Sequence, residues 1–298
     1  MKLAFISILL LIISIEANAQ AFVRTEYIGS SNYKDENNEK TGGSGDAKII
    51  QAGFKIPLST KLNENNRPTA WAIGLGGSYA SLGGKGLSKE YYTPEILNAQ
   101  IGLMHMRPIS EKWSMLASIG VGVFTDDTQI SNIRFKHVMG HGGVIFIRHL
   151  KPALDIGGGL ALNNAFGYPM VFPAFYLNWR TEGRYQVRIS LIDAIEISAG
   201  MELNKYLNLK VVGEMSGMMA LVEKDGKDMV FTHQYVVAGI QPEFKISKSL
   251  SVPITAGVSA YRAAYFQERS LKAFFKEREH DPHFSVAPYV AVAIKYGF

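Results

Sequence analysis

The chain contains no cysteine, so no disulfide holds its fold and no lipoprotein anchor can be attached to it. Beyond residue 19 it has no uninterrupted apolar run near the roughly 20 residues that a membrane-spanning helix requires. It has no G-x-S-x-G, H-E-x-x-H, P-loop or G-x-G-x-x-G pattern, and Gly74-Leu75-Gly76-Gly77 reads as sheet glycine. No repeat of solenoid period is present. The excess of one charge sign is small, a formal +5 with bases interleaved among acids, which argues against nucleic acid as a partner.

What the sequence does have is period-two alternation. From Phe284 onward, Phe284, Val286, Pro288, Val290, Val292, Ile294, Tyr296 and Phe298 fall on one face, and Ser285, Ala287, Tyr289, Ala291, Ala293, Lys295 and Gly297 on the other. Successive strand residues point to opposite faces. One wholly apolar face is therefore either buried in a soluble sheet or turned to lipid in a membrane barrel.

The amino-terminus bears on that choice. Lys2 precedes an apolar run over residues 3–15, and Ala17-Asn18-Ala19 offers a small-residue cleavage site before Gln20. Residues 1–19 are read as a signal peptide and 20–298 as one exported domain. Export without cysteine or a helical anchor, with 29 glycines and 30 phenylalanines plus tyrosines (16 + 14), favours a closed barrel, in which every strand is paired.

Alternation predicts strands over residues 21–31, 47–58, 69–81, 95–107, 113–125 and 134–149, and further ones to the carboxy-terminus. Connections alternate in length. Residues 108–112, 151–152, 181–184, 204–206 and 247–249 are short; 34–46, 83–94, 126–132, 223–228 and 267–282 are longer, and 59–68 is the exception. The expected fold is all-β, a closed antiparallel transmembrane β-barrel of 14 strands, with 12 as the alternative. That count requires residues 185–203, which hold one phase without a clear loop, to turn near Ile192 and Asp193. The two strands so made have about 7 and 9 residues, at or below the 9 to 11 that span a bilayer. The wall is then expected to be lowest there, with Arg188, Ser190, Glu196 and Ser198 behind it and a lateral route toward the outer leaflet.

The ending Tyr296-Gly297-Phe298 resembles the carboxy-terminal assembly signal of bacterial outer-membrane barrels. Together with the signal peptide, the amphipathic strands and the alternating loops, it makes the mature chain similar to an uncharacterised outer-membrane β-barrel family of Bacteroidota-type Gram-negative bacteria. The resemblance implies residence in the bacterial outer membrane among its lipids, with Tyr296 and Phe298 read by the barrel assembly machinery. It implies no activity.

Candidate lumen residues follow from strand phase: Arg24, Lys55, Asp155, Arg188, Glu196, Lys210, Glu214, Glu243 and Lys295. Their mixed sign predicts weak ion selectivity. His137 and His141 share a strand face about 13 Å apart, too far for one metal ion without a third ligand such as His233, and are read as polar lumen residues. His283-Phe284-Ser285 places a histidine and a serine on one face, but no third residue completes a triad. No metal, cofactor or enzymatic activity is expected. Residues 269–279 read as a short amphipathic helix that covers the barrel mouth or meets anionic headgroups. The expected function is a channel or transporter for small solutes, hydrophobic ones included. A lipid-modifying barrel enzyme and a structural or adhesive barrel are the alternatives.

Overall fold

The computed structural model describes residues 20–64, 67–88, 90–181, 183–191, 195–275 and 280–297. Residues 1–19, expected from the sequence as a signal peptide, and Phe298 lie outside the described residues. The strands are β1 Gln20–Lys34, β2 Lys40–Leu62, β3 Pro68–Leu82, β4 Glu95–Pro108, β5 Trp113–Thr125, β6 Val138–Lys151, β7 Leu154–Asn163 and β8 Met170–Arg180. They continue with β9 Tyr185–Leu191, β10 Ile195–Asn204, β11 Leu207–Lys224, β12 Lys227–Lys245, β13 Leu250–Glu268, β14 His283–Phe284 and β15 Ala287–Tyr296. Each strand pairs antiparallel with its sequence neighbour, and β14 and β15 are two pieces of one strand between β13 and β1. Among the described residues, fourteen strands thus close a ring, sealed where Ala21 to Ile28 of β1 face Tyr296 to Tyr289 of β15.

Alternation sets the two faces. On β1, Val23 and Tyr27 are exposed while Glu26 and Ile28 are buried. Ile50, Leu75, Ile101, Leu160, Val211 and Val292 continue the exposed apolar belt around the ring. No helix among the described residues is long and apolar enough to cross a membrane; the strands, closed and apolar outside, have the form that can.

Several boundaries differ from the sequence expectation. The connection expected over 34–46 shrinks to 35–39, because β1 and β2 continue as a polar hairpin past the belt. Residues 223–228 are no loop: Asp225 and Gly226, both at positive φ, make a two-residue turn joining β11 directly to β12. The long connection 59–68 is mostly strand, since β2 bulges at Pro57 and runs to Leu62. Residues 134–137 precede β6, and His137 belongs to a 3-10 turn. Phe284 does not share the outer face of Val286. The chain is irregular between β14 and β15, so Phe284 turns inward and is buried while Val286 is exposed.

Wall height is uneven. β2, β11, β12 and β13 have 23, 18, 19 and 19 residues, whereas β9 and β10 have 7 and 10. The hairpin between β9 and β10 is present, and its turn at 192–194 lies outside the described residues. Because β10 begins opposite Met215, β11 above Met215 has a strand partner on one side only. There it bends across the barrel. Asn98 on β4, seven strands away in the ring of fourteen, donates its Nδ2 hydrogen to the Met219 carbonyl at 2.6 Å. Both faces of this part of β11 are covered. Met218, Ala220 and Val222 pack with Ile28, Ile49, Ile96, Phe231 and Tyr235, and Leu221 packs with Phe124, Met139 and Val230. The β11–β12 hairpin therefore fills the loop-bearing half of the lumen.

Where β6 and β7 press closest, only glycine fits. A Cβ on Gly159 would collide with the Val144 carbonyl oxygen, while one on Gly213 would meet nothing nearer than 4.0 Å. Gly159→Ala is expected to lower stability to urea in detergent by about 1–3 kcal/mol. Gly213→Ala should stay within about 0.5 kcal/mol. Equal midpoints for the two variants would refute the packing described for β6 and β7.

Candidate functional site

Beneath the apolar plug the inward side chains become polar. β1 presents Arg24 and Glu26 inward, two residues apart. Arg24 Nη1 donates to both Glu214 carboxylate oxygens, at 2.7 and 2.9 Å, a charge-assisted hydrogen bond shared between the two oxygens. Its Nη2 donates to the Tyr289 hydroxyl at 2.6 Å and lies 3.1 Å from Glu26 Oε2. The Glu26 side chain has no solvent exposure and accepts from Tyr289 at 2.5 Å, Tyr235 at 3.0 Å and Gln51 at 3.1 Å. A buried carboxylate is tolerated when its lone pairs are filled in this way. The network ties together β1, β2, β11, β12 and β15.

Next to it lies a cavity of about 170 Å³, lined by Arg24, Arg188, Ser190, Glu196, Glu214, Lys295 and neighbouring side chains. Five of the nine candidate lumen residues, Arg24, Arg188, Glu196, Glu214 and Lys295, meet there. Lys210 and Glu243 form their own ion pair at 2.5 Å, with Ser251 donating to the second oxygen of Glu243 at 2.9 Å. Asp155 lies elsewhere and takes a hydrogen bond from His149. Lys55 is exposed, opposite Gln20. Tyr296 pairs with Ala21 and Leu250 at the closure. Glu26, Tyr235 and Tyr289 hold the network together yet were not singled out in sequence. The signal was present: Glu26 follows Arg24 in the same phase.

The three histidines considered as ligands stay apart. His137 sits in the turn before β6, His141 on β6, and His233 on β12 inside the apolar cluster. No group of three metal-ligating acidic or histidine side chains occurs among the described residues. His283 stacks on Tyr261, and the Ser285 backbone bonds Asn32. The strand irregularity beside them breaks the common face that their spacing implied. The segment expected as a helix over 269–279 has one helical turn, Leu271–Phe274; residues 276–279 lie outside the described residues. Arg269 donates to the carbonyls of Ala165, Lys136 and Asn164 at 2.8, 3.0 and 2.9 Å, pinning three loops over the mouth.

His137 makes that mouth sensitive to pH. Its Nδ1 accepts the Arg134 N–H at 3.2 Å, which requires the neutral ring, and burial, aided by Lys136, holds its pKa below the ordinary value. The unfolded loop therefore binds the proton more readily. The stabilisation is complete above about pH 6.5 and is lost as pH falls through the lower folded-state value. Proteolysis of the 126–137 loop should accelerate at about pH 5 relative to pH 7.5, and His137→Gln should flatten that dependence. For the network, Arg24→Ala strands two carboxylates and should cost about 3–5 kcal/mol in urea unfolding; Glu214→Gln, which keeps an acceptor, should cost less.

Comparison with solved structures returns outer-membrane barrels at low identity. The translocator domain of the autotransporter NalP from Neisseria meningitidis is 14% identical, with 94% of this chain and 88% of that one covered, at a TM-score of 0.36. An outer-membrane channel from Pseudomonas putida F1 is 7% identical over 95% and 97%, at 0.44. A mutant of the monoaromatic hydrocarbon channel TodX is 11% identical over 96% and 94%, at 0.43. No curated protein matches the sequence. A family profile described as "Domain of unknown function (DUF6268)" matches residues 15–297, and the chain belongs to that family.

Proposed function

We propose that the protein is a channel for small solutes in the outer membrane of a Bacteroidota-type Gram-negative bacterium. The reading includes insertion by the barrel assembly machinery through the Tyr296 and Phe298 ending, and outer-membrane lipids as the surrounding partner. Passage of a solute is the function that the cavity beside Arg24 supports. One observation carries it: a polar cavity of about 170 Å³, lined by side chains of both charge signs, lies inside the closed barrel directly behind β9 and β10, strands of 7 and 10 residues. Ser190 and Glu196 line both that cavity and the paired strands β9 and β10. Since the mouth is filled by the β11–β12 hairpin and pinned by Arg269, the low wall is the shorter way between cavity and membrane. An amphipathic or apolar solute fits that route, and the mixed charges predict little preference between cations and anions.

Planar-bilayer recording of the purified protein should give discrete conductance steps of weak ion selectivity; a silent bilayer containing folded protein would count against a channel. In liposome uptake, a bulky residue at Ser190 or Ser198 should slow an apolar solute more than a sugar. Equal slowing would remove the lateral route and leave the axial one.

A further inference from the structure

The geometry points to a second activity in the same barrel, hydrolysis of an ester by Ser114, His149 and Asp155. Neighbouring strands carry the three residues at one level of the lumen. Ser114 is on β5, and β6 and β7 pair His149 directly with Asp155. Ser114 Oγ lies 2.8 Å from His149 Nε2, and His149 Nδ1 lies 2.6 Å from Asp155 Oδ1. With the proton on Nδ1, the carboxylate fixes the tautomer and Nε2 is free to accept the serine hydrogen. This is the hydrogen-bond order that activates a serine, recognised by geometry and independent of sequence order or fold. Ser114 is buried, 3% exposed, so water competes poorly for its hydroxyl. The imidazole and carboxylate are 21% and 26% exposed, open to the lumen.

The surroundings indicate the substrate. Ile147 stands opposite Ser114, and Leu116 opposite Ile145 one step further along the same face. Leu116 and Ile145 line a cavity of about 220 Å³ that continues past Ala161 and Ala174, room for a short acyl chain. On the other side, Arg180 and Arg188 face each other across β8 and β9, and Arg180 follows two residues after Asn178, the β8 partner of Asp155, on the same strand face. The substrate class is therefore a short-chain acyl ester whose alcohol part carries negative charge. Ser114 Oγ bonds to the ester carbonyl carbon as its proton passes to His149 Nε2. The carbon–oxygen ester bond then breaks, and the leaving alkoxide takes that proton. Water repeats the sequence on the acyl-serine and releases the carboxylic acid.

The test uses the full chain in detergent micelles. A biotinylated fluorophosphonate should label the wild-type protein on the peptide holding Ser114, and 4-nitrophenyl butyrate should be hydrolysed. Ser114→Ala should abolish both, and Asp155→Asn should lower turnover on the order of 10²–10⁴-fold. The butyrate ester of 5-hydroxy-2-nitrobenzoic acid, whose alcohol part is anionic, should show a lower KM than 4-nitrophenyl butyrate, and Arg188→Ala should erase the difference. Heat-modifiable gel migration establishes folding; should Ser114→Ala not fold, labelling of the wild type decides. Absence of label from Ser114 in folded protein, or hydrolysis by folded Ser114→Ala within about twofold of wild type, overturns the hydrolytic centre, and equal KM values for the two esters overturn the anionic specificity. None of these results bears on conductance, so the channel reading stands or falls separately.

Discussion

A backbone N–H or C=O placed in hydrocarbon without a partner costs several kcal/mol, so a sheet that crosses a bilayer has no stable edge. Here the constraint is met by the pairing of β15 with β1, from Ala21 opposite Tyr296 to Ile28 opposite Tyr289. Once the ring closes, the pleat fixes the rest of the wall. Val23, Ile50 and Val292 must face outward because Arg24, Gln51 and Ala293 face inward. Every inward side chain then belongs to one shared interior. The Arg24 network exists because closure brings Tyr289, near the end of the chain, to within 2.6 Å of Arg24, near its start.

The interior divides at Glu26. On the loop side, Ile28, Ile49, Phe231 and Val237 make an apolar mass; on the other side lie Arg188, Glu196, Glu214 and Lys295. Glu26 is the boundary, with hydroxyls from Tyr235 and Tyr289 reaching it and Arg24 beneath. Burying that carboxylate is sustainable only because each of its neighbours donates to it.

The low wall and the plug are two aspects of one feature. β9 and β10 stop early, so β11 rises past Met215 without a partner on that side. A strand edge freed in this way seeks cover. β11 finds it by leaning across the lumen, where Asn98 caps the Met219 carbonyl and apolar side chains bury both of its faces. Loop contacts then hold the lean in place: Lys136 pairs with Glu223 at 2.6 Å, and Lys224 donates to the Glu90 carbonyl at 3.0 Å. The same short hairpin that lowers the wall thus closes the mouth, which links where the barrel is open to where it is shut.

The sequence by itself determined the class of fold and most of the wall, because period two is a local property and a lipid-facing belt demands it of every strand; it left fourteen strands against twelve, and the closed ring decided for fourteen. The tight hairpin between β9 and β10 was legible for a topological reason: an odd count would send the two termini to opposite rims. Alternation fails wherever both faces of a strand are apolar. The extension of β11 and β12 across residues 218–235 was therefore not visible, although the strand below Gly217 was. The lumen charges were readable as inward-facing, but their partners were not. Arg24 meets Glu214 across 190 positions of sequence, and Ser114, His149 and Asp155 share neither a motif nor a strand. Phase is fixed by adjacent residues. Which inward side chains touch is fixed by ring size, strand stagger and the bend of β11, and only the closed tertiary structure supplies those.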